Sequence, residues 1–225
     1  MGVSPEIAER TRRVTTQRGL RYLKGNLDRR FKTRMTQLQR PLLYTRVYAD
    51  TMFANKKSVR GNTCAEILIT SEGLVSGMAL KSKGDAYLAL EKFCKEFGIP
   101  NLLVTDMAKE EMFGEWGRIV KRNLIEQRTT EPSSGWQNRV EMEIKEFKKH
   151  HQRIARINLC PEAFWCFVWY YVMELRMFLC RNGPDTRPPI ESIKGGYAHD
   201  ILEYVDFDFY TWVKYHDVES YPKIQ

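Results

Sequence analysis

The chain is poor in the residues that build disulfide frameworks and zinc sites. Its five cysteines are odd in number and widely spaced, no C-x-x-C pair occurs, and only His150 and His151 of the four histidines are neighbours. This pattern argues against a structural zinc site in this chain. It also favours a reducing intracellular compartment over a secreted, disulfide-linked protein.

Long apolar runs are also missing. The longest, from Ala163 to Met173, has 11 residues, which is too short to span a lipid bilayer. The first residues of the chain contain no apolar stretch of the kind found in secretory leaders. We therefore expect no membrane-spanning segment and no membrane partner.

Acidic residues are scarce in one part of the chain, although the net charge is only +8. Between residues 10 and 40 there are eleven Arg or Lys residues and a single acid, Asp28. Such a basic arm commonly binds nucleic acid or another anionic surface, but a solvated linker has the same composition. We divide the chain into a basic arm (1–40), a core domain (41–181) and an aromatic extension (182–225).

Hydrophobic periodicity predicts an α/β fold. The predicted strands lie at 43–53, 64–70, 74–80, 101–105 and 124–128. The predicted helices lie at 84–97, 114–123, 138–156 and 161–180, with a Pro-, Ser- and Gly-containing loop at 129–137. Short turns join the first three strands, so we expect an antiparallel meander that continues into a mixed five-stranded sheet flanked by helices.

Three carboxylates are the candidate functional residues. Asp50 lies inside an apolar strand, where a carboxylate must be paired, protonated or bound to metal, unless it only caps a turn. Asp106 follows the fourth predicted strand, and Glu141 lies on the third predicted helix. If they converge in a partly buried place, they require a cation, and their oxygen ligands favour Mg²⁺ or Mn²⁺.

The sequence around these acids resembles the catalytic core of retroviral-type integrases, especially those of copia-like retrotransposon polyproteins. Asp50 stands in Val-Tyr-Ala-Asp-Thr-Met-Phe, Asp106 in Leu-Val-Thr-Asp, and Glu141 in Val-Glu-Met-Glu-Ile-Lys-Glu-Phe-Lys-Lys. The resemblance covers roughly residues 43–180 and implies an RNase H-like fold with a D,D-35-E signature. Here 34 residues separate the last two acids, one fewer than usual. Glu143 and Glu146 lie near Glu141, Glu110 and Glu111 follow Asp106, and spacing alone does not choose among these acids. The flanking residues favour Glu141.

The resemblance implies a metal-dependent polynucleotidyl transferase that trims DNA 3′ ends and joins them to target DNA. Asp50, Asp106 and Glu141 would be the catalytic, metal-binding residues, with Mg²⁺ or Mn²⁺ as the cofactor. The implied partners are element-end DNA and target DNA, and the implied state is a homodimer or higher oligomer in the nucleus. The family's N-terminal zinc module is absent from the sequence, so we expect a core with a short arm.

DNA contacts are predicted on the third helix and in the arm. Lys145 and Lys148 follow Glu141 by four and seven residues and share its helix face, although solvated lysines have the same spacing. The other predicted DNA-binding residues are Gln137, Arg29, Arg30, Lys32 and Arg34.

Two further functions compete with the integrase reading. A decayed or domesticated integrase-like core would bind nucleic acid without catalysis, whereas the intact set of acids favours an enzyme. A ribonuclease H shares the sheet and the carboxylates, but the loop followed by a lysine-rich helix argues against it. The aromatic residues of the last helix, including Trp165 and Trp169, are expected in the core or in a subunit interface.

Overall fold

The computed structural model describes residues 4–16, 41–105, 114–129, 135–180, 187–195 and 200–212. The strands are β1 (Leu42–Phe53), β2 (Cys64–Thr70), β3 (Val75–Leu80), β4 (Ile99–Thr105) and β5 (Glu126–Thr129). The helices are α1 (Pro5–Thr16), α2 (Ala86–Glu96), α3 (Gly114–Arg122), α4 (Gly135–Ile157), α5 (Trp165–Phe178), α6 (Pro189–Lys194) and α7 (Leu202–Val205). Short 3₁₀ turns at Lys83–Asp85 and Glu162–Phe164 precede α2 and α5.

The five strands form one sheet in the order β3-β2-β1-β4-β5. β1 pairs with β2, and β2 with β3, in antiparallel fashion, whereas β1 pairs with β4, and β4 with β5, in parallel. The predicted mixed five-stranded sheet flanked by helices, with an antiparallel meander first, is therefore confirmed. The parallel half places β4 directly beside the strand that carries Asp50.

Helices cover the sheet on both faces. The first face packs against α2 and α3 through a core that includes Val47, Phe93 and Trp116. The second face packs against α4 and α5 through a separate core that includes Phe147 and Trp169. Side chains alternate along a strand, so each residue of β1 faces one of these two layers.

Gly77 in β3 allows α5 to approach the second face closely. Its φ angle is +156°, and an added Cβ atom would lie 2.1 Å from the Glu66 carbonyl oxygen and 2.7 Å from Cη2 of Trp169. Neither neighbour can move easily, because one is strand backbone and the other is a ring buried in the second core. The neighbouring Tyr170 also binds this strand, since its hydroxyl oxygen accepts a hydrogen bond from the Ala79 amide at 3.0 Å.

The predicted loop before α4 is wrong at its edges. The predicted loop 129–137 ends earlier, since α4 begins at Gly135, so Gln137 lies in the first turns of that helix. Glycine and asparagine are poor helix formers, and local composition therefore did not indicate a helix there. The aromatic extension, which shows no clear period, contributes the short helices α6 and α7.

In the described part of the chain, every helix is either too short or too polar to cross a lipid bilayer.

Candidate active site

Asp50 lies on the second face of the sheet. In β1 the residues Leu43, Val47 and Ala49 are buried in the first core, so Asp50 faces the opposite way. It stands opposite Ile67 of β2, which is fully buried in the second core, and directly opposed residues of an antiparallel pair share a face. The half-buried Asp50 carboxylate therefore faces the layer that contains α4.

β4 runs parallel to β1 and ends at Thr105, one residue before Asp106 in the sequence. Its parallel register with β1 pairs Val47 with Leu103 and Tyr48 with Val104. Tyr48 is two residues before Asp50, and Val104 is two residues before Asp106. The last residue of β4, Thr105, is buried and accepts a hydrogen bond from Nε2 of Gln127 at 3.0 Å. Asp106 itself lies outside the described residues.

Helix α4 carries Glu141 in its second turn, but the Glu141 and Gln137 side chains lie outside those that the structure describes. Three and six residues further on, Ile144 and Phe147 are buried in the second core, which fixes the face that α4 turns towards the sheet. Lys145 and Lys148 are exposed on α4. No ion pair between described residues involves either lysine.

Glu143 has a partner of its own. Its carboxylate accepts a hydrogen bond from Nη2 of Arg176 on α5 at 2.5 Å. The Arg176 and Glu143 side chains are only 10% and 13% exposed. At about 100° per residue, Glu143 points roughly 200° away from Glu141 on the helix. Sequence reasoning missed this pair, although Arg176 is the one basic residue in the apolar helix α5, and arginine is almost never fully buried unless it is paired.

Two histidines further along α4 are neutral structural residues. His151 is mostly buried, and one of its ring nitrogens, Nε2, lies 3.0 Å from the Trp165 carbonyl oxygen. Burial lowers the pKa of His151 below its usual 6.5 and outweighs that hydrogen bond. The pKa of His150 is lowered as well, first by burial and then by the positive charge of Arg176. Both imidazoles are therefore uncharged at neutral pH.

Of the three predicted metal ligands, only Asp50 has a side chain that the structure describes. Among the described residues, no group of three His, Cys, Asp or Glu side chains is placed to hold a metal ion. Asp106 and the side chain of Glu141 are not among them, so the predicted triad stays a prediction. The donor set itself fits Mg²⁺ or Mn²⁺, because all three side chains are carboxylates and Asp50 is on a half-buried sheet face.

The predicted arm contacts Arg29, Arg30, Lys32 and Arg34 also lie outside the described residues. The start of the arm, however, forms α1, which packs on the rest of the molecule. Thr11 is buried, and its hydroxyl accepts a hydrogen bond from the Cys180 amide at 3.0 Å. This helix borders a groove of about 440 Å³ whose other walls include Ile157, Tyr171 and Phe209. Ile157 is 16 residues, or about 24 Å of helix, from Glu141, so this groove lies away from the predicted acids.

No protein-family model matches the chain, and no curated protein sequence matches it significantly. Solved structures do match. The HTLV-2 integrase catalytic core domain in complex with magnesium (trimeric form) has a TM-score of 0.54 and 15% identity, covering 68% of this chain and 97% of that one. The catalytic core domain of BIV integrase has a TM-score of 0.51 and 15% identity, covering 67% and 93%.

A third match is to the simian T-cell lymphotropic virus intasome in complex with the PP2A regulatory subunit B56 gamma. Its TM-score is 0.55 at 16% identity, over 68% of this chain and 55% of that one. At such low identity these similarities concern the fold. The described part of the chain therefore has the RNase H-like fold of retroviral integrase catalytic cores.

Proposed function

We propose that the chain is the catalytic core of a copia-like retrotransposon integrase, a metal-dependent polynucleotidyl transferase. It would trim DNA 3′ ends and join them to target DNA during integration of the element. The supporting observation is the parallel pairing of β1 with β4, together with the placement of Asp50 on the face covered by α4. β4 ends one residue before Asp106, and the helix that carries Glu141 packs on the sheet face of Asp50 through Ile144 and Phe147.

In this proposal Asp50, Asp106 and Glu141 hold two Mg²⁺ or Mn²⁺ ions. When bound, such ions supply Lewis-acid stabilisation of the charge that develops on the reacting phosphoryl group. Lys145 and Lys148 hold DNA phosphates beside the acids, because both are exposed on the helix that carries Glu141. Water is the nucleophile in end trimming, and a DNA 3′ hydroxyl is the nucleophile in joining.

The proposed partners are element-end DNA and target DNA. One of the similar structures is an intasome, and HTLV-2 integrase cores are described in trimeric and dimeric forms. On that basis we propose a homodimer or higher oligomer that acts in the nucleus. The proposed organisation is a basic arm at 1–40, the core at 41–181 and an extension at 182–225.

The proposal is tested by nicking and disintegration of branched DNA in the presence of Mg²⁺ or Mn²⁺. Asp50→Asn should abolish the reaction, whereas the control Asp206→Asn removes an exposed carboxylate on the extension and should leave it unchanged. Undiminished nicking by Asp50→Asn would contradict the proposal. DNA binding without cleavage by the wild type, with either metal, would instead support a decayed or domesticated nucleic-acid-binding core.

A further inference from the structure

The loop between β1 and β2 presents a cluster of positive charge. We define the basic hairpin surface as residues 54–63 of this loop with the adjoining residues 81–83. Its exposed basic side chains are Lys56, Lys57, Arg60 and Lys81. Lys57 and Lys81 converge, because a Cβ atom built on Gly61 would lie 3.5 Å from Cε of Lys57 and 3.9 Å from Cε of Lys81. Two lysines distant in sequence therefore reach the same point of the surface.

Within the described part of the chain, no carboxylate forms an ion pair with either of these two lysines. Asp85 and Glu162 nevertheless belong to neighbouring turns. Exposed arginines elsewhere do pair, as Arg122 does with Glu91 at 3.6 Å. Holding two like charges together without a counter-ion is unfavourable, and an anionic ligand relieves that repulsion.

The loop that carries the charges is fixed to α5. The Val59 amide donates a hydrogen bond to the Ala163 carbonyl at 2.8 Å, and Nε1 of Trp165 donates to the Lys56 carbonyl at 2.9 Å. The Arg60 guanidinium lies 4.3 Å from the ring centroid of Phe167. A ligand that binds here would therefore meet a preorganised backbone, and less entropy is lost on binding.

The surface lies close to Asp50 along the same strand. β1 ends at Phe53, three residues after Asp50, which is about 10 Å of strand. At 3.4 Å of rise per base pair, the near edge of the basic hairpin surface is about three base pairs of duplex from Asp50, and Lys57 and Lys81 lie beyond that edge. A DNA molecule with a phosphate at Asp50 can therefore also reach the basic hairpin surface with phosphates a few nucleotides away.

We propose that Lys57 and Lys81 form a clamp for the phosphate backbone of DNA that flanks the Asp50 site. This contact is additional to those predicted for Lys145 and Lys148. The inference rests on the proposed function only for the position of the DNA, because binding to the clamp requires neither a metal nor catalysis. Its specificity is for charge spacing rather than base sequence, since phosphate contacts carry no sequence information directly.

The test compares two double variants that remove the same charge. Lys57→Gln/Lys81→Gln removes the clamp, whereas Lys95→Gln/Lys121→Gln removes two exposed lysines from α2 and α3 on the other side of the sheet. Affinity for a short duplex DNA is measured in EDTA over a series of salt concentrations. The slope of log K against log salt should become shallower by about 1.8 in the clamp variant, because two phosphate contacts are lost. The control should keep a nearly wild-type slope, and equal slopes in the two variants would overturn the clamp.

A parallel nicking assay separates this inference from the proposed function. If the clamp variant keeps the wild-type salt slope while Asp50→Asn abolishes nicking, the clamp is wrong and the function stands. If the slope becomes shallower as expected but the wild type nicks no DNA, the clamp stands and the transferase function is wrong.

Vesicles of phosphatidylserine and phosphatidylcholine serve as a second probe. Loss of vesicle binding without any change in DNA binding would overturn the clamp in favour of a membrane surface.

Discussion

Arg176 on α5 holds Glu143 on α4 through two hydrogen bonds. Its Nη2 donates to the Glu143 carboxylate at 2.5 Å, and its Nη1 donates to the Glu143 carbonyl oxygen at 3.3 Å. Both side chains are nearly buried. The pair joins the two helices that cover the second face of the sheet, and it gives Glu143 a role distinct from that predicted for Glu141.

Glu143→Gln should therefore destabilise the protein without directly removing catalysis. The substitution leaves the Arg176 charge nearly buried without a counter-ion, which costs about 3 kcal/mol of unfolding free energy. Urea denaturation measures this loss. Nicking, assayed well below the melting temperature, should remain because Glu143 is not one of the proposed metal ligands.

Glu141→Gln should have the opposite effects. It removes one of three mutually repelling carboxylates, so metal-free stability should stay the same or rise slightly. Metal affinity should fall, and nicking should fall by orders of magnitude. If Glu143→Gln abolished nicking in the folded protein while Glu141→Gln preserved it, the third ligand would be wrongly assigned.

Gly77→Ala should cost more than about 2 kcal/mol of unfolding free energy, because strand backbone and the Trp169 ring occupy the space that the new methyl group needs. Gly84→Ala is the matched control. Gly84 is exposed, and the nearest atom to its added Cβ is the Ser82 hydroxyl oxygen at 3.6 Å. Urea denaturation of both variants measures the difference, and similar stabilities would contradict the close approach of α5 to β3.

Acidification should destabilise the fold through His150 and His151. Because both folded-state pKa values lie below 6.5, the unfolded chain binds protons that the folded chain does not. The free energy of unfolding should therefore fall as the pH drops from about 7 to about 5, before most carboxylates titrate. His151→Gln should reduce this dependence in urea denaturation at several pH values. A free energy of unfolding that rises as the pH drops from about 7 to about 5 would show that the folded protein favours the charged imidazoles.

The arm prediction requires substitution rather than deletion. Removing residues 1–40 would also remove α1, which packs against the core through Thr11. Replacement of Arg29, Arg30, Lys32 and Arg34 by Gln leaves α1 intact. The slope of log K against log salt should fall by about 0.9 for each phosphate contact that is lost. An unchanged slope would identify this part of the arm as a linker.

Local signals made the antiparallel half of the sheet predictable. β2 matches its predicted bounds, and β3 begins one residue later than predicted, because alternation and a short Ser71-Glu72-Gly73 turn specify a hairpin from neighbouring residues. β4 was predicted from residue 101, whereas it begins at Ile99. Gly98 and Pro100 indicated only the end of a helix, whereas Ile99 already belongs to β4, and its amide donates to the Pro41 carbonyl oxygen at 2.8 Å. Such pairing joins segments far apart in sequence, and local composition does not contain it.

The sequence predicts a chemistry for the candidate site but not its geometry. Asp50 was recognised as an acid in an apolar strand, yet its face is decided by the pairing with Ile67 of β2. The partner of Glu143 lies 33 residues further along the chain, and no spacing rule connects the two. Lys57 and Lys81 are likewise far apart in the sequence, and only the folded strands between them bring their side chains together.

The hydrogen bond between Thr11 and Cys180 also limits when α1 can dock during synthesis on the ribosome. These residues are 169 positions apart, and a ribosome that adds about 5–20 residues per second needs roughly 10–30 seconds to synthesise the intervening chain. During that time α1 has emerged but its docking surface has not. The nascent chain therefore carries the first helix of its basic arm undocked, near the polyanionic RNA of the ribosome, until the end of α5 is available.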